Sequence, residues 1–495
     1  MGLAFIPLYI RYLGVEAWGL VGFMSMMQAW LTLLDMGLTP TLSREMARFK
    51  AEVHSAQSIR DLMRSMEVIY GVVAAAVVGI VWLIAPWVAV HWLSATHLSA
   101  ESMAQAIGMM GLVLAARMSE QVYRGAIQGL QRQVWLNGAL GVLATLRGVG
   151  AVGVLAWLDD SVEAFFMWQG LISLLTLVIL ARKTYHWLPP GERPACFDLD
   201  ALVRIRHFAG GMAVTTLLAL LLTQVDKLLL SKLVSLEEFG YYTLAASAAG
   251  ALYFLVIPIF TAVSPRLTEL VAKSEHQVLI DTYRQASQWL AALLTPVALV
   301  MAAFAEPILY VWTGNVSLTQ QAGPLLTLLA LGTLFHGFMY VPYAMQLAHG
   351  WTGFAIRANI VAVCFIVPAV GWAVPLFGAI GAAWAWLALT AGYVLIGAHF
   401  MHRRLLPGEK WRWYLEAVFK PLVIGSITVL ALRQWIPLPH DRAPLGAALI
   451  CVGLFLMVVV LWALPASRVF LQFYFRNLRG KVSPLSKKIF KIVCK

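Results

Sequence analysis

Two charged side chains, Asp226 and Lys227, stand next to one another in LLTQVDKLLLSK (221–232), inside an otherwise apolar run at 207–233. A charge held at the centre of a bilayer costs about 2.5–3.5 kcal/mol on insertion scales. Adjacent residues on a helix point roughly 100° apart, so these two make a poor pair with each other and each needs its own partner or its own water. Two readings stay open. In one, Lys227 snorkels toward the outer end of its helix and Asp226 bonds a neighbouring helix. In the other, both face a water-filled cavity, where Lys227 would meet an anionic substrate and Asp226 would carry a coupling cation.

A second constellation lies in ARMSEQVYR, where Arg117, Glu120 and Arg124 follow i, i+3, i+7 spacing and form one polar stripe. Such a stripe is either the cytoplasmic end of a helix satisfied by internal salt bridges or a basic lining for a phosphate, tuned by Glu120. Arg147, in ATLRGVG, is a lone arginine among small residues and requires close helix packing plus one anionic or carbonyl partner. Asp35, in LLDMGL, sits near the inner end of its predicted span; it reads equally as a capping or helix-pairing group and as a cation ligand. The candidate substrate-binding residues are therefore Lys227, Arg147, Arg117 and Arg124. The candidate cation-coupling residues are Asp226, Asp35 and Glu120. Glu306 is a further charge within a predicted span.

The elements that carry these residues follow from composition. Of the 495 residues, 61% are hydrophobic and 12% charged, where a soluble domain carries roughly a quarter charged. Apolar runs long enough to cross a bilayer, about 20 residues each, fall near 18–39, 67–93, 102–123, 135–158, 162–181, 207–233, 240–264, 286–312, 322–346, 354–376, 379–400, 415–436 and 443–465, with a short apolar piece at 2–10. Spanning elements in lipid are helices or closed barrels. These runs are twice the length of barrel strands and do not alternate, so the expected fold class is an all-α polytopic membrane protein.

The net charge of +12 does not point to nucleic acid, because Lys and Arg fall into every second loop. With the 2–10 piece counted as span 1, Arg44, Arg48, Lys50, Arg60 and Arg64 lie between spans 2 and 3. Arg182, Lys183, Arg193, Arg204 and Arg206 lie between spans 6 and 7, and Arg403, Arg404, Lys410, Arg412 and Lys420 between spans 12 and 13. By the positive-inside rule these loops and the basic tail are cytoplasmic. The cysteines Cys196, Cys364, Cys451 and Cys494 are scattered singly and imply no disulfide framework. There is no HExxH, GxSxG or P-loop signature, so neither an enzyme nor a cofactor is expected.

The chain also repeats itself. LGVEAWG (13–19) aligns with VSLEEFG (234–240), and an offset of 221 residues brings Gly19 onto Gly240, Ser43 onto Ser264, Pro86 onto Pro307, Met118 onto Met339 and Gly129 onto Gly350 without a gap. The offset covers six spans, an even number, so both copies cross the membrane in the same sense. Parallel repeats about an axis along the membrane normal are a transporter architecture. The expected organisation is a six-helix N-lobe at 1–182, a cytoplasmic linker at 183–206, a six-helix C-lobe at 207–402, two extra helices at 403–466 and a basic cytoplasmic tail at 467–495. The lobes are expected to rock about a cavity between them. The same offset implies that span 1 lacks its front half.

The stretch YIRYLGVEAWGLVGFMSMMQAWLTLLDMGLTPTLSREMAR (9–48) resembles the opening of the polysaccharide-transport branch of the MOP flippase superfamily, which includes the Wzx-like O-antigen flippases. Tyr9, Leu13, Gly14, Trp18, Gly19, Asp35, Gly37, Arg44 and Glu45 carry the resemblance, and Asp226, Lys227, Gly240 and Tyr242 carry it in VDKLLLSKLVSLEEFGYYTLA (225–245). It implies a flippase of the bacterial inner membrane. Such a protein moves oligosaccharide linked to undecaprenyl pyrophosphate to the outer leaflet, for O-antigen, capsule or exopolysaccharide. The implied partners are that lipid-linked oligosaccharide, membrane lipids, a polysaccharide polymerase and chain-length proteins. Rival readings are a MATE-type multidrug or small-solute exporter, a membrane component of polysaccharide polymerisation, and a non-transporting scaffold. Embedded bases are at least as frequent as embedded acids, which favours an anionic substrate over a cationic drug.

The topology has a direct check. With single cysteines placed at Glu192 and at Lys481, an impermeant thiol reagent added to intact cells is expected to label neither; labelling of either from outside overturns the cytoplasmic assignment.

Overall fold

The computed structural model describes residues 2–35, 38–50, 55–198, 217–218, 220–435 and 437–465, and these are helices joined by short turns. In chain order they are α1 (Gly2–Leu31), α2 (Leu38–Lys50), α3 (Ala56–Trp87), α4 (Ala100–Gly129), α5 (Gln133–Trp157), α6 (Val162–Trp187), α7 (220–233), α8 (Leu236–Gly250), α9 (Tyr253–Ala272) and α10 (His276–Ala303). There follow α11 (Ala305–Thr313), α12 (Val316–Phe338), α13 (Tyr340–Ala348), α14 (Thr352–Phe377), α15 (Ala379–Gly392), α16 (Ala398–Leu405), α17 (Lys410–Trp413), α18 (Lys420–Trp435) and α19 (Arg442–Ala463). Among the described residues, ten helical segments are long and apolar enough to cross a membrane. The chain is a multi-pass membrane protein. The polar stripe of α4 keeps that helix below the same threshold of hydropathy, although it is 30 residues long.

Local chemistry explains several boundaries. α1 breaks at Gly14 (φ 82°), a left-handed conformation that costs a side chain strain and glycine little. This break separates predicted spans 1 and 2. Ser55, Ser99 and Ser161 cap α3, α4 and α6, each hydroxyl accepting from the backbone N–H three residues on. Two readings of the sequence are corrected. The second half of α1 stops at Leu31, so Asp35 lies in a turn beyond it, and the basic stretch 38–50 is a helix rather than a loop. Glu306 is exposed at the start of α11, outside the segments long and apolar enough to cross a membrane. The tail 467–495 with Cys494, the stretch 199–216 and Gly37 lie outside the described residues.

The chain divides into two compact units, each described by itself. The first holds Met1–Thr243 and Asn359–Ala382. Its inner core joins α2, α3 and α4 through Leu42, Met46, Met63, Met66, Tyr70 and Val122. The second holds Leu244–Ala358 and the described residues from Ala383 onward. There α18 and α19 pack on α10 through Leu299, Val429, Leu449, Val452 and Leu456. In the same unit, Arg284 of α10 grips the Glu409 carboxylate through Nε and Nη2, and this bond holds the Glu409 carboxyl below the usual carboxylate range.

The repeat is visible in the first unit as a reciprocal contact. A Cβ on Gly19 would strike the backbone O of Leu236, and a Cβ on Gly240 would strike the backbone O of Val15. The offset of 221 carries Val15 onto Leu236 and Gly19 onto Gly240, so the two contacts are copies of one another. Gly22 lies against Thr243, its own counterpart at the same offset. Residue i touching j while the copy of i touches the copy of j is the mark of a two-fold axis. Contact between counterparts in helices that run the same way puts that axis along their common direction.

Gly19→Val and Gly240→Val should each destabilise the protein by about 1–3 kcal/mol through overpacking. Gly138→Ala should be close to neutral, because nothing lies within 4 Å of a Cβ there. Melting temperatures of the purified variants in detergent check this; equal melting of all three removes the close contact.

Candidate functional site

Four of the seven residues singled out by sequence come together in the first unit. Glu120 of α4 is buried, and its Oε2 accepts from Arg124 Nη2 at 2.7 Å, the i, i+4 partner on the same helix. Its Oε1 lies 3.9 Å from Arg147 Nη2 of α5. Arg117, one turn earlier on α4, donates to Gln28 Oε1 of α1 at 2.7 Å and to Gln169 Oε1 of α6 at 3.2 Å. Arg147 also reaches Ser173 Oγ of α6 at 3.5 Å. Two guanidiniums thus flank one carboxylate and a third, Arg117, stands one turn away on the same helix, among helices that are otherwise apolar.

Packing holds this arrangement in place. Gly148 follows Arg147 and lies against the ring of Phe5, while Trp168 Nε1 donates to Arg147 O at 3.2 Å. The buried Nε atoms of Arg117, Arg124 and Arg147 have no hydrogen-bond partner among the described residues. Arginine presents five donors in a fixed fork suited to phosphate and carboxylate oxygens. The cluster therefore carries an excess of positive charge and several unused donors, the complement of a multivalent anion.

Asp226 and Lys227 make separate contacts, as their spacing requires. Asp226 is buried on α7 and its Oδ2 accepts from Tyr242 OH of α8 at 2.5 Å, while its Oδ1 has no hydrogen-bond partner among the described residues. Lys227 Nζ donates to Thr223 O one turn back at 3.0 Å and stands 3.9 Å from Asp226 Oδ1, the outer limit of an ion pair. Asp35 is elsewhere. Its carboxylate accepts from Thr39 N at 3.2 Å, from the Thr39 hydroxyl and from Tyr70 OH, so it ties the first turn of α2 to α3. These contacts are those of a cap.

Sequence reasoning passes over Gln28, Gln169 and Ser173, and takes Tyr242 only as part of a resemblance, without joining it to Asp226. Neutral polar residues on long apolar helices carry no periodic signal, and only helix packing shows that they meet charges. It also passes over Glu16, whose carboxylate accepts from the backbone N–H groups of Thr96, His97 and Leu98 and fixes the turn before α4.

A family model described as "Polysaccharide biosynthesis protein" matches residues 1–271, more than half of the chain, and a MatE model matches residues 212–372. The chain belongs to the polysaccharide biosynthesis protein family of the MOP superfamily. A protein of Shigella flexneri described as "Putative O-antigen transporter" is 19% identical over 379 residues, 76% of this chain and 87% of that one. Among solved structures, the inward closed conformation of the lipid II flippase MurJ superposes with a TM-score of 0.71 at 12% identity, covering 96% of this chain and 97% of that one. An inward-facing multidrug resistance MATE family transporter of the MOP superfamily gives a TM-score of 0.65 at 13% identity, covering 82% and 93%. At these identities the likeness is one of fold.

Removing one partner of a buried charge pair costs about 3–5 kcal/mol, whereas an exposed pair contributes about 0–1 kcal/mol. Glu120→Gln should therefore lower the melting temperature far more than Arg64→Ala, which breaks an exposed pair with Glu67. Equal shifts in a detergent melting assay would show that Glu120 is not the acid on which the cluster depends.

Proposed function

We propose that this chain translocates an oligosaccharide linked to undecaprenyl pyrophosphate from the inner to the outer leaflet of a bacterial inner membrane, by alternating access, for surface polysaccharide synthesis. The observation that carries the reading is the cluster of Arg117, Arg124 and Arg147 around the single acid Glu120. A diphosphate is the multivalent anion whose oxygens suit several guanidiniums at once. Family membership and the relative described as an O-antigen transporter support the same cargo.

Lys227 is the second cationic contact in this reading, a point charge on a flexible stem that can follow a moving headgroup. Asp226, with one carboxylate oxygen lacking a hydrogen bond, is the proposed site of the coupling cation. Asp35 serves that role less well, because its carboxylate accepts from Thr39 and Tyr70; Glu120 also keeps one oxygen without a hydrogen bond, but the guanidiniums of Arg124 and Arg147 beside it repel a cation.

The test is complementation of a strain lacking its own flippase, with membrane levels of the protein quantified in parallel. Arg147→Ala, Lys227→Ala and Asp226→Asn should each abolish surface polysaccharide at normal protein levels, and Lys227→Arg should retain part of it. Normal export by the three neutral variants would make these charges structural and end the reading.

A further inference from the structure

The second unit holds a cluster of a different kind. His336 of α12 is ringed by Tyr253 of α9, Tyr340 of α13 and Trp386 of α15, with ring centroids 5.8, 5.5 and 5.7 Å away. Phe260 of α9 extends the group: its ring meets Tyr340 edge-on at 5.5 Å and stacks on Tyr343 at 6.1 Å with 11° between the planes. Tyr253 OH and His336 Nδ1 are hydrogen-bonded at 2.8 Å. The Tyr340 and Tyr343 hydroxyls have no protein partner among the described residues.

Three observations set this cluster apart from ordinary core. Tyrosines favour the membrane interfaces, where the hydroxyl stays wet; Tyr340 lies inside the span Val316–Ala348, and Tyr253 opens the span Tyr253–Ala272. Both begin a new helix where a span is interrupted, at the turn 251–252 between α8 and α9 and at Met339 between α12 and α13. A π-helical turn at Tyr393–Gly397 interrupts the helix that carries Trp386. Broken spans and π-helical turns recur where membrane proteins hold ligands. The rings are also not sealed in: Tyr343 is 41% exposed, and Phe260, Tyr340 and Trp386 are half-buried. Glycine at 332 leaves the indole of Trp386 the space a Cβ would take.

We propose that this aromatic cluster is a carbohydrate-binding platform that takes the sugar part of the cargo. The inference rests on the reading that the cargo is a lipid-linked oligosaccharide. A pyranose ring has an apolar face of C–H groups bearing slight positive charge, and hydroxyls around its edge. The faces of Phe260, Tyr340, Tyr343 and Trp386 are electron-rich and attract such C–H groups. The two unpaired phenols can donate to or accept from the ring hydroxyls. Among the described residues no ion pair involves the cluster, so it suits a neutral sugar rather than a phosphate.

The experiment measures binding of two lipids to the purified full chain in nanodiscs by native mass spectrometry. One is bare undecaprenyl pyrophosphate; the other is the lipid-linked oligosaccharide that accumulates in cells lacking this chain. The wild type should prefer the glycosylated lipid. A double variant, Phe260→Leu with Tyr343→Leu, should lose about tenfold of that preference while its affinity for the bare lipid stays unchanged. Tyr340→Phe, which removes one oxygen and keeps the ring, should lower the preference by about threefold and guards against misfolding of the double variant. An unchanged preference in both variants overturns the platform. Binding of the bare lipid with no preference for sugar in the wild type overturns it as well but leaves the translocation reading standing. Binding of neither lipid removes both.

Discussion

Charge inside a bilayer has to be met by a partner, and that requirement organises the first unit. Water is absent from the hydrocarbon, so each embedded charge either finds a group of the protein or opens onto a wet cavity. Glu120 finds two arginines, Arg117 finds two carboxamides, and Asp226 finds a tyrosine on the next helix. These contacts also fix the packing of the helices, because Gln28, Gln169 and Ser173 reach the arginines from α1 and α6. The balance is not neutral. The cluster holds three guanidiniums and one carboxylate, and the surplus charge is the basis for the proposal that it binds an anion.

The reciprocal glycine contact supplies the frame. Side chains at Gly19 and Gly240 would collide with backbone oxygens of the opposite repeat, so only glycine lets α1 and α8 come this close. Small residues are a common means of close helix approach in membranes, where packing and polar contacts replace the hydrophobic drive. The repeats have diverged around this shared contact. The first unit has concentrated guanidiniums; the second has concentrated aromatic rings about His336. The proposed cargo, with a phosphate head and a neutral glycan, presents two chemistries that no single surface suits.

Much of this is legible in the sequence, for identifiable reasons. The spans follow from apolar runs, and the stripe Arg117–Glu120–Arg124 follows from helical spacing, which fixes direction without knowledge of neighbours. The 221-residue repeat is legible because Gly19 and Gly240 stand at positions where substitution is sterically barred. Arg147 cannot be joined to the stripe from sequence, since nothing along α5 says which neighbour it faces. Asp35 reads as part of a span because LTLLDMGL is apolar enough to continue one, yet the helix stops at Leu31 and the carboxylate caps α2. The stretch 38–50 reads as a loop because it is polar; as a helix it buries Leu42 and Met46 on one face and turns Arg48 and Lys50 outward. The aromatic cluster is legible only in pieces: His336, Tyr340 and Tyr343 follow i, i+4, i+7 spacing, as Tyr253 and Phe260 follow i, i+7, but nothing in the sequence joins the two sets to each other or to Trp386.

In the proposed translocation, arginine in the cluster and lysine on α7 have a physical logic, because such a protein must release what it binds. Guanidiniums fixed by carboxamides, a serine and a shared acid are preorganised and hold an anion with little loss of side-chain entropy. Left alone, such a site would bind too well to turn over. Glu120 moderates it, since its carboxylate competes with an incoming anion for Arg124 and Arg147. Among the described residues Lys227 bonds a backbone oxygen one turn back and stands at the outer limit of an ion pair with Asp226, so its charge can swing to a ligand without breaking a close buried pair. A site whose affinity is divided between a fixed, internally opposed cluster and a mobile point charge has the graded hold that passage across a membrane requires.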